Sequence, residues 1–250
     1  MMLTDNIRKF LKEHFREFPV KEVRIGLGYT GVLLDNGNAG VAYTFKQGLF
    51  EGCSMFMGNR PLAGKSSHTF LDYIGSPVAV ESAVGIATAN ALVNYQMDWG
   101  NEGDVLDILH IKKEDRVGMV GFFGPLVPTL KQLARELVIF EQTPTKMNGL
   151  FPAELAYKEL PACDIALITS TSLINGTLES LLNVSHKCRE VVLLGPSTLL
   201  LKEIFEPLGV TLLSGVIITD PPGILQIISE GGGMRFFKNH IKKLNIRLKS

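Results

Sequence analysis

The sequence predicts an α/β protein in which a Rossmann-like parallel sheet domain follows a smaller α+β domain made of an antiparallel meander plus helices. From Arg116 onward, apolar strands alternate with helical segments, which is typical of a parallel sheet with right-handed crossovers. Before that point, three short strands cluster near the start of the chain. The polar, glycine-containing stretch 98–115 separates the two patterns. We therefore predict domains at residues 1–100 and 114–250.

The first part of the chain predicts one helix and a three-stranded meander. Apolar residues recur at helical spacing over residues 3–18, and Pro19 ends that helix. The turn Asp-Asn-Gly-Asn-Ala-Gly at 35–40 is typical of a hairpin. Alternation of polar and apolar residues predicts the strands at 20–28, 31–34 and 41–45.

A short helix or turn at 69–74 and a clear helix at 77–97 follow. Small residues dominate the second helix, so we expect its backbone to pack closely on the meander. Asn90 lies among Ala and Val in its interior, where a side-chain amide requires a hydrogen-bond partner. Glu81 near its N-terminus complements the helix dipole, which is the simplest explanation of that residue.

The segment Gly64-Lys65-Ser66 invites a phosphate-loop interpretation, which fails on spacing. Gly58 precedes Gly64 by six positions where the motif needs five, and no apolar strand leads into Gly58. Lys65, in the polar end of the loop 47–64, stays a candidate ligand-facing group, with a solvated lysine as the alternative.

The second half repeats a strand, a loop and a helix. The predicted strands are 117–121, 137–140, 165–168, 191–194 and 210–219. The predicted helices are 126–136, 152–160, one that starts at 175–177, 199–205 and 224–230. The basic tail, 240–250, predicts a surface helix or strand.

Four of these strands end in glycine, proline or hydroxyl residues, at 121–125, 169–177, 195–198 and 220–223. The carboxyl ends of parallel strands meet at one edge of the sheet, where ligands bind. The helix start after residue 174 adds free N–H groups that favour an oxyanion or another electron-rich group. Helix capping alone is the competing explanation for each of these polar residues.

We expect these strand ends to line one crevice, and we expect one pocket to contain Thr171, Asn175, Thr177, Ser197 and Thr198. The candidate ligand-binding residues are Lys65, Glu81, Asn90, Gly121, Gly124, Thr169, Thr171, Asn175, Gly176, Thr177, Gly195, Pro196, Ser197, Thr198 and Asp220.

Composition excludes several classes of protein. The net charge is zero and the pI is near 7.0, so the chain lacks the basic excess that neutralises a nucleic-acid backbone. Three widely spaced cysteines favour reduced thiols and a cytoplasmic location. The N-terminal residues lack the apolar segment of a signal peptide, and no apolar run has the length of a membrane span.

Spacing also disfavours the familiar catalytic and metal-binding motifs. The five histidines are scattered, and Cys-x-x-Cys, His-x-x-x-His and Gly-x-Ser-x-Gly are absent from the sequence. Only oxygen ligands remain for a metal, with Glu81, Asp220 and Glu230 as weak candidates.

The dinucleotide fingerprint is only partly met. Gly118, Gly121 and Gly124 give Gly-x-x-Gly-x-x-Gly in place of Gly-x-Gly-x-x-Gly, and two Phe and Pro125 leave little room for a pyrophosphate. Glu141, however, lies at the end of the next strand, where a ribose-binding acid would lie.

Several motifs together resemble one family, the heavy-metal chelation proteins, whose defining domain has no established function. The segments that carry the resemblance are 173–179, 195–198 and 230–233. Family members usually carry a companion domain similar to the enolase N-terminal domain, and its motifs resemble 26–30, 62–65 and 81–91 here. The resemblance implies an enolase-N-terminal-like first domain, a Rossmann-like second domain and a site at their junction. It also implies that Glu81 acts across that junction, as the charged group of the crevice.

We therefore expect a cytoplasmic small-ligand-binding protein with a site in the interdomain crevice, handling a heavy metal or a metallo-cofactor. The alternatives are a nucleotide- or S-adenosylmethionine-type transferase on the same strand ends and a non-catalytic ligand carrier. The expected partner is a small molecule or a metal ion, with no nucleic acid and no membrane; a homo-oligomer stays open. Catalysis stays open too, because no residue stands out as an acid, base or nucleophile with a partner.

Overall fold

The computed structural model describes residues 2–45, 56, 58, 60–95, 100–142 and 149–248. They form a three-stranded antiparallel sheet, in the order β1-β2-β3, and an eight-stranded sheet, in the order β4-β11-β10-β9-β8-β5-β6-β7. The strands are β1 Val20–Ile25, β2 Tyr29–Leu34, β3 Ala39–Tyr43, β4 Asn101–Glu102, β5 Arg116–Val120, β6 Glu136–Glu141, β7 Leu150–Pro152, β8 Ile165–Thr169, β9 Glu190–Leu194, β10 Leu212–Ile218 and β11 Ile241–Arg247.

The helices are mostly short. They are α1 Leu3–His14, α2 Ser67–Leu71, α3 Ala79–Val93, α4 Val127–Leu133, α5 Ala156–Glu159, α6 Thr171–Ile174, α7 Leu178–Val184, α8 Lys202–Phe205, α9 Pro221–Ser229 and α10 Met234–Phe237. Within the part of the chain that the structure describes, no helix combines the length and apolar character needed to cross a bilayer.

The predicted fold class is confirmed, and the large sheet has the strand order of a doubly wound Rossmann sheet. From β7 to β10 the strands are parallel, and β11 adds an antiparallel edge to β10. The strand β8 is a continuous apolar run because helices cover both faces of the sheet. The chain leaves β5 toward β6 on one side, and β8 lies on the other side of β5. This place, between β5 and β8, is the topological switch point of the sheet.

The small sheet packs on α3, as the small residues of that helix predict. Gly40 of β3 lies directly against the backbone of Ala87 and Ala91, so any Cβ at position 40 would overlap the helix. Residues 80 and 82–93 of α3 are all buried, which reflects a helix enclosed on every side. Close approach between these backbones therefore fixes the position of β3.

Several predicted elements differ from the structure, and each difference has a local cause. The helix predicted at 126–136 ends at Leu133, because the Asp115 carbonyl accepts from the N–H groups of Arg135 and Glu136 and starts β6. The helix predicted at 199–205 is only α8, since the Leu200 N–H donates to the Asn94 side chain 3.1 Å away.

The segment 98–115 contributes a short strand to the large sheet, because β4 pairs with β11. The sequence predicts either a helix or a strand for the basic tail, and the structure shows the strand β11. The short helix α10 has no counterpart among the predicted elements. Most of the loop 47–64, with Cys53, and the tryptophan Trp99 lie outside the described residues. The division into two domains stays a prediction.

Asparagine side chains near the end of α3 join the two sheets. The Asn94 side chain is buried, and its Nδ2 donates to the carbonyls of Thr198, 2.9 Å away, and Val216, 3.3 Å away. Its Oδ1 accepts from the Leu200 N–H. One amide thereby bonds three backbone groups, two in the segment after β9 and one in β10.

We expect Asn94→Ala to lower the free energy of unfolding by about 2–5 kcal/mol, because each unpaired buried backbone group costs about 1–3 kcal/mol. Denaturant titration followed by far-UV circular dichroism measures this change. Asn183→Ala, at an exposed position of α7, is the matched control and should change stability little. Equal effects from both variants would contradict a joining role for Asn94.

Candidate functional site

A cavity of about 600 Å³ lies at the carboxyl ends of β5, β6 and β8, at the switch point of the large sheet. Tyr43 and Phe45, from the end of β3, close it from the side of the small sheet. Its described lining is Tyr43, Phe45, Val120, Gly121, Phe122, Phe123, Phe140, Glu141, Gln142, Ala153, Glu154, Tyr157, Thr169, Thr171, Ser172, Asn175, Thr177 and Leu181.

Gly121 turns the chain at the end of β5. Its φ is +88°, and its N–H donates to the Phe140 carbonyl of the neighbouring strand at 2.8 Å. A Cβ at this position would lie 2.9 Å from Cγ2 of Thr169. Glycine therefore allows the ends of β5, β6 and β8 to approach one another closely at the floor of the cavity.

The hydroxyl groups after β8 form a connected set. Oγ1 of Thr169 and Oγ1 of Thr171 lie 3.0 Å apart, and the Ser172 hydroxyl donates to the Thr169 carbonyl at 2.6 Å. Asn175 Oδ1 accepts from both the N–H and the hydroxyl of Thr177, at 3.2 and 2.8 Å. These bonds hold the polar side chains in fixed orientations along one wall.

The helix start behind this wall is weaker than the sequence suggests. The chain passes from the one-turn helix α6 through Gly176 into α7, which has seven residues. The first turn of α7 also carries Glu179, whose carboxylate accepts from the Leu3 N–H at 3.2 Å. A short helix with an acidic first turn offers little attraction for an anion.

Glu141 is the charged group closest to the turn at Gly121. Its Oε2 accepts from the Phe122 N–H at 3.0 Å and its Oε1 from the Gln142 N–H at 2.8 Å. Glu154 contributes a second carboxylate to the lining, whereas the described lining residues include no Lys, Arg or His. The electrostatic character of this lining therefore favours neutral or cationic ligands.

Aromatic side chains form the remaining walls, and sequence reasoning did not select them. Tyr43 meets Phe45 edge to face with ring centroids 5.1 Å apart, and Tyr29 meets Tyr43 in the same way at 5.7 Å. The alternation along β3 places Tyr43 and Phe45 on one face, which was the available signal. Nothing in the local sequence indicates that this face meets the other sheet.

A neighbouring cavity of about 350 Å³, called the small cavity to distinguish it from the one of about 600 Å³, called the large cavity, lies on the other side of Phe122 and Phe123, which line both. Three predicted site residues line it, Gly124, Gly195 and Pro196. Tyr29 also lines it, and burial, with a smaller effect from Tyr43, raises the pKa of the Tyr29 hydroxyl well above its usual value. Tyr29 therefore stays neutral and acts as a hydrogen-bonding group only.

Asn90, Ser197 and Thr198 lie in the buried contact between the two sheets and do not line the large cavity. Asn90 Nδ2 donates to the Val41 carbonyl at 2.8 Å, and Ser197 Oγ accepts from the Tyr43 N–H at 2.9 Å. The Thr198 hydroxyl pairs with that of Ser170 at 2.7 Å. Of the five side chains predicted to share one pocket, three therefore do so. Of the other two, Ser197 holds β3, and with it Tyr43, against the large sheet, whereas Thr198 links the segments that follow β8 and β9.

The remaining predicted site residues are spread over the molecule. Lys65 pairs through its carbonyl with the Val20 N–H, and Gly176, with φ +76°, forms the turn before α7. Glu81 accepts from the Ser76 hydroxyl at 2.7 Å and, after burial, is the second cause that raises the pKa of Tyr73. Neither Lys65, Gly176 nor Glu81 is among the residues that line the large cavity.

The three weak metal candidates each have a different local partner. Glu81 bonds to Ser76, and Glu230 accepts from the Gln226 amide at 3.0 Å. Asp220 lies 2.7 Å from His240 Nδ1 and caps α9, and these hydrogen bonds lower the pKa of its carboxyl group. In the described ranges, no three His, Cys, Asp or Glu side chains come together as a metal site.

The two described thiols do not fit a heavy metal either. Cys163 and Cys188 are buried, and burial raises their pKa values to about 11 and about 12. Both thiols are therefore protonated near neutral pH, and a metal would have to displace their protons. Among the described residues, no cluster of three such ligands offers a preformed site for a bare heavy-metal ion.

Comparison with known proteins identifies the family of this chain. The model of the DUF364 family, described as "Putative heavy-metal chelation", matches residues 104–247. The chain belongs to this family. The model of the DUF4213 family, which carries the same description, matches residues 8–93. The resemblance predicted from the segments near 173–179, 195–198 and 230–233 is thereby confirmed.

Relatives of similar length share the fold. A crystal structure of a DUF364 protein of unknown function from Pyrococcus horikoshii superposes with a TM-score of 0.87 at 26% identity, covering 98% of this chain and all (100%) of that one. A second, from Desulfitobacterium hafniense, has a TM-score of 0.82 at 24% identity, covering 98% of each chain. An uncharacterized protein of Methanocaldococcus jannaschii is 27% identical over 95% of this chain and 93% of its own length.

We expect Gly121→Ala to destabilise the protein by about 1–3 kcal/mol more than Gly176→Ala, because the new methyl group at 121 also overlaps Thr169. Both glycines have positive φ, so both variants carry the backbone strain of about 1–2 kcal/mol. At position 176 nothing lies within 4 Å of an added Cβ, so Gly176→Ala carries the backbone strain without a steric overlap. Equal losses in denaturant titrations would show that the turn at the cavity floor has room to relax.

Proposed function

We propose that the protein binds a small organic ligand in the large cavity, with the hydroxyls after β8 on one side and aromatic rings on the other. The observation that carries this proposal is the position of the cavity. It lies at the switch point of the sheet, where ligands bind in open α/β folds, and residues from both sheets close it. Its volume, about 600 Å³, is that of a typical small-molecule site.

The proposed ligand contacts are the polar side chains that the structure brings into this cavity. Thr169, Thr171, Asn175 and Thr177 supply hydroxyl and amide groups, and Gly121 shapes the floor. Asn175 uses its Oδ1 within the wall, so its Nδ2 is the donor that can turn to a ligand. Asn90 and Ser197 support the site indirectly, by holding β3 in place, and Thr198 does so by bonding Ser170 beside the hydroxyls after β8.

For heavy metals, we propose that this protein handles the metal as part of an organic complex. The family description points to metal handling, whereas the described side chains offer no three-ligand cluster and no thiolate. A complex brings most of its own ligands, and the protein needs only to recognise its outer surface. Hydroxyls, an amide and aromatic rings are groups suited to that task.

This proposal predicts that a cavity-filling variant abolishes binding of whatever ligand the purified protein carries. Thr171→Tyr places a ring in the cavity, and Ser180→Tyr, at an exposed position of α7, is the matched control. Native mass spectrometry and metal analysis of freshly purified protein should show a bound species in the wild type and in Ser180→Tyr, and its loss in Thr171→Tyr.

Bare metal ions provide the opposing test. We expect Ni²⁺, Zn²⁺ or Cd²⁺ alone to leave the melting temperature unchanged, because a ligand stabilises only in proportion to its binding to the native state. Concentration-dependent stabilisation of both wild type and Thr171→Tyr by a bare ion would place the metal outside this cavity and refute the proposal.

A further inference from the structure

The carboxylate of Glu141 lines the cavity, and the proposed function assigns it no role. We infer that Glu141 sets specificity, and that the cavity takes a ribonucleoside-like ligand whose vicinal hydroxyls bind this carboxylate. The inference rests on the proposed function, since it names the ligand class of the same cavity. It adds that the ligand carries a flat ring and no phosphate beside the turn at Gly121.

The position of Glu141 is the first argument. It ends β6, the strand beside β5 on the side of the switch point opposite β8. In the dinucleotide-binding proteins that share this strand order, an acidic residue near the end of that second strand binds a ribose hydroxyl. The sequence alone places Glu141 near such a position, and the structure puts its side chain into the cavity wall.

The hydrogen bonding of the carboxylate is the second argument. An ionised carboxylate has about four acceptor sites, two on each oxygen. The N–H groups of Phe122 and Gln142 occupy one site on each oxygen. With respect to the described residues, each oxygen therefore keeps one site, and the two remaining sites match two adjacent hydroxyls. The backbone bonds fix the carboxylate in advance, which lowers the entropy cost of binding.

The aromatic rings of the lining are the third argument. Phe122 and Tyr157 line the cavity and are 40% and 38% exposed, so their rings offer apolar surface to a ligand. A planar base would cover part of this apolar surface and stack on it.

The turn after β5 argues against a phosphate. A Cβ on Gly118 would lie 2.6 Å from Leu160, so this glycine allows helix packing and does not face a ligand. Phe122 and Phe123 occupy the turn, and Pro125 starts the short helical segment that follows. The carboxylates of Glu141 and Glu154 add repulsion for an anion.

Isothermal titration calorimetry with adenosine, guanosine, cytidine and uridine tests the inference, each compared with its 2′-deoxy counterpart and its 5′-monophosphate. We expect at least one ribonucleoside to bind. Its deoxy form should bind at least about tenfold more weakly, because a charge-assisted hydrogen bond is lost. We expect the monophosphate to bind more weakly than the nucleoside.

Glu141→Gln should remove the discrimination, bringing the ribo and deoxy forms within about twofold of each other, because the charged acceptor is gone. Glutamine keeps a carbonyl oxygen for the Phe122 N–H, so the turn should persist, and the melting temperature checks this. Glu141→Asp keeps the charge and should retain a preference for the ribo form. Glu203→Gln, an exposed carboxylate on α8, is the control and should match the wild type.

Three results would overturn the inference: no ribonucleoside binds at millimolar concentration, ribo and deoxy forms bind equally, or Glu141→Gln still discriminates. Thr171→Tyr separates this failure from failure of the proposed function. If that variant loses its copurified ligand while no ribonucleoside binds the wild type, the cavity is a ligand site of another class. If Thr171→Tyr keeps its copurified ligand and no ribonucleoside binds the wild type, both proposals fail.

Discussion

The cavity exists because the small sheet is held at a fixed distance from the large one. That distance depends on backbone packing at Gly40 against α3, where no side chain fits, and on buried polar contacts at the same end of that helix. Ser197, Asn90 and Asn94 each bond a backbone group across this junction. A buried amide or hydroxyl left without its partner is costly, so these bonds define one relative placement of the sheets. Tyr43 and Phe45 come to the switch point only in that placement.

The fold could be predicted largely from local patterns, whereas the walls of the site could not. Buried parallel strands are continuous apolar runs, so 165–168 was located to within one residue of β8, Ile165–Thr169. The leucines at 199–201 have helical spacing but lie extended, since Asn94, more than a hundred positions earlier, takes the Leu200 N–H. The same distance in sequence explains the site: Thr169 to Thr177 could be selected from one strand end, but Tyr43 and Tyr157 reach the cavity only through tertiary packing.

The polar residues that drew attention in the sequence therefore divide by their depth in the molecule. Those on the surface of the crevice, such as Thr171 and Asn175, line the cavity. Those one layer deeper are buried: Ser197 bonds between the sheets, and Thr198 bonds Ser170. A sequence pattern of hydroxyls at strand ends cannot separate these layers. Lining a cavity and bonding between buried segments both favour small polar side chains that cap and bond backbone groups. Only the register of β9 and the packing of β3 decide which hydroxyl faces inward.

Glu141 is coupled to both cavities through one backbone bond. Its carboxylate holds the Phe122 N–H, and Phe122 with Phe123 forms the partition between the large and the small cavity. A ligand that needed every acceptor site of Glu141 would have to release this turn and join the two spaces. A vicinal diol needs only the two sites that the backbone leaves open, so it can bind while the partition stays in place. The arrangement is thus more consistent with a rigid, preorganised site than with one that opens on binding, and the small cavity remains a separate compartment beside it.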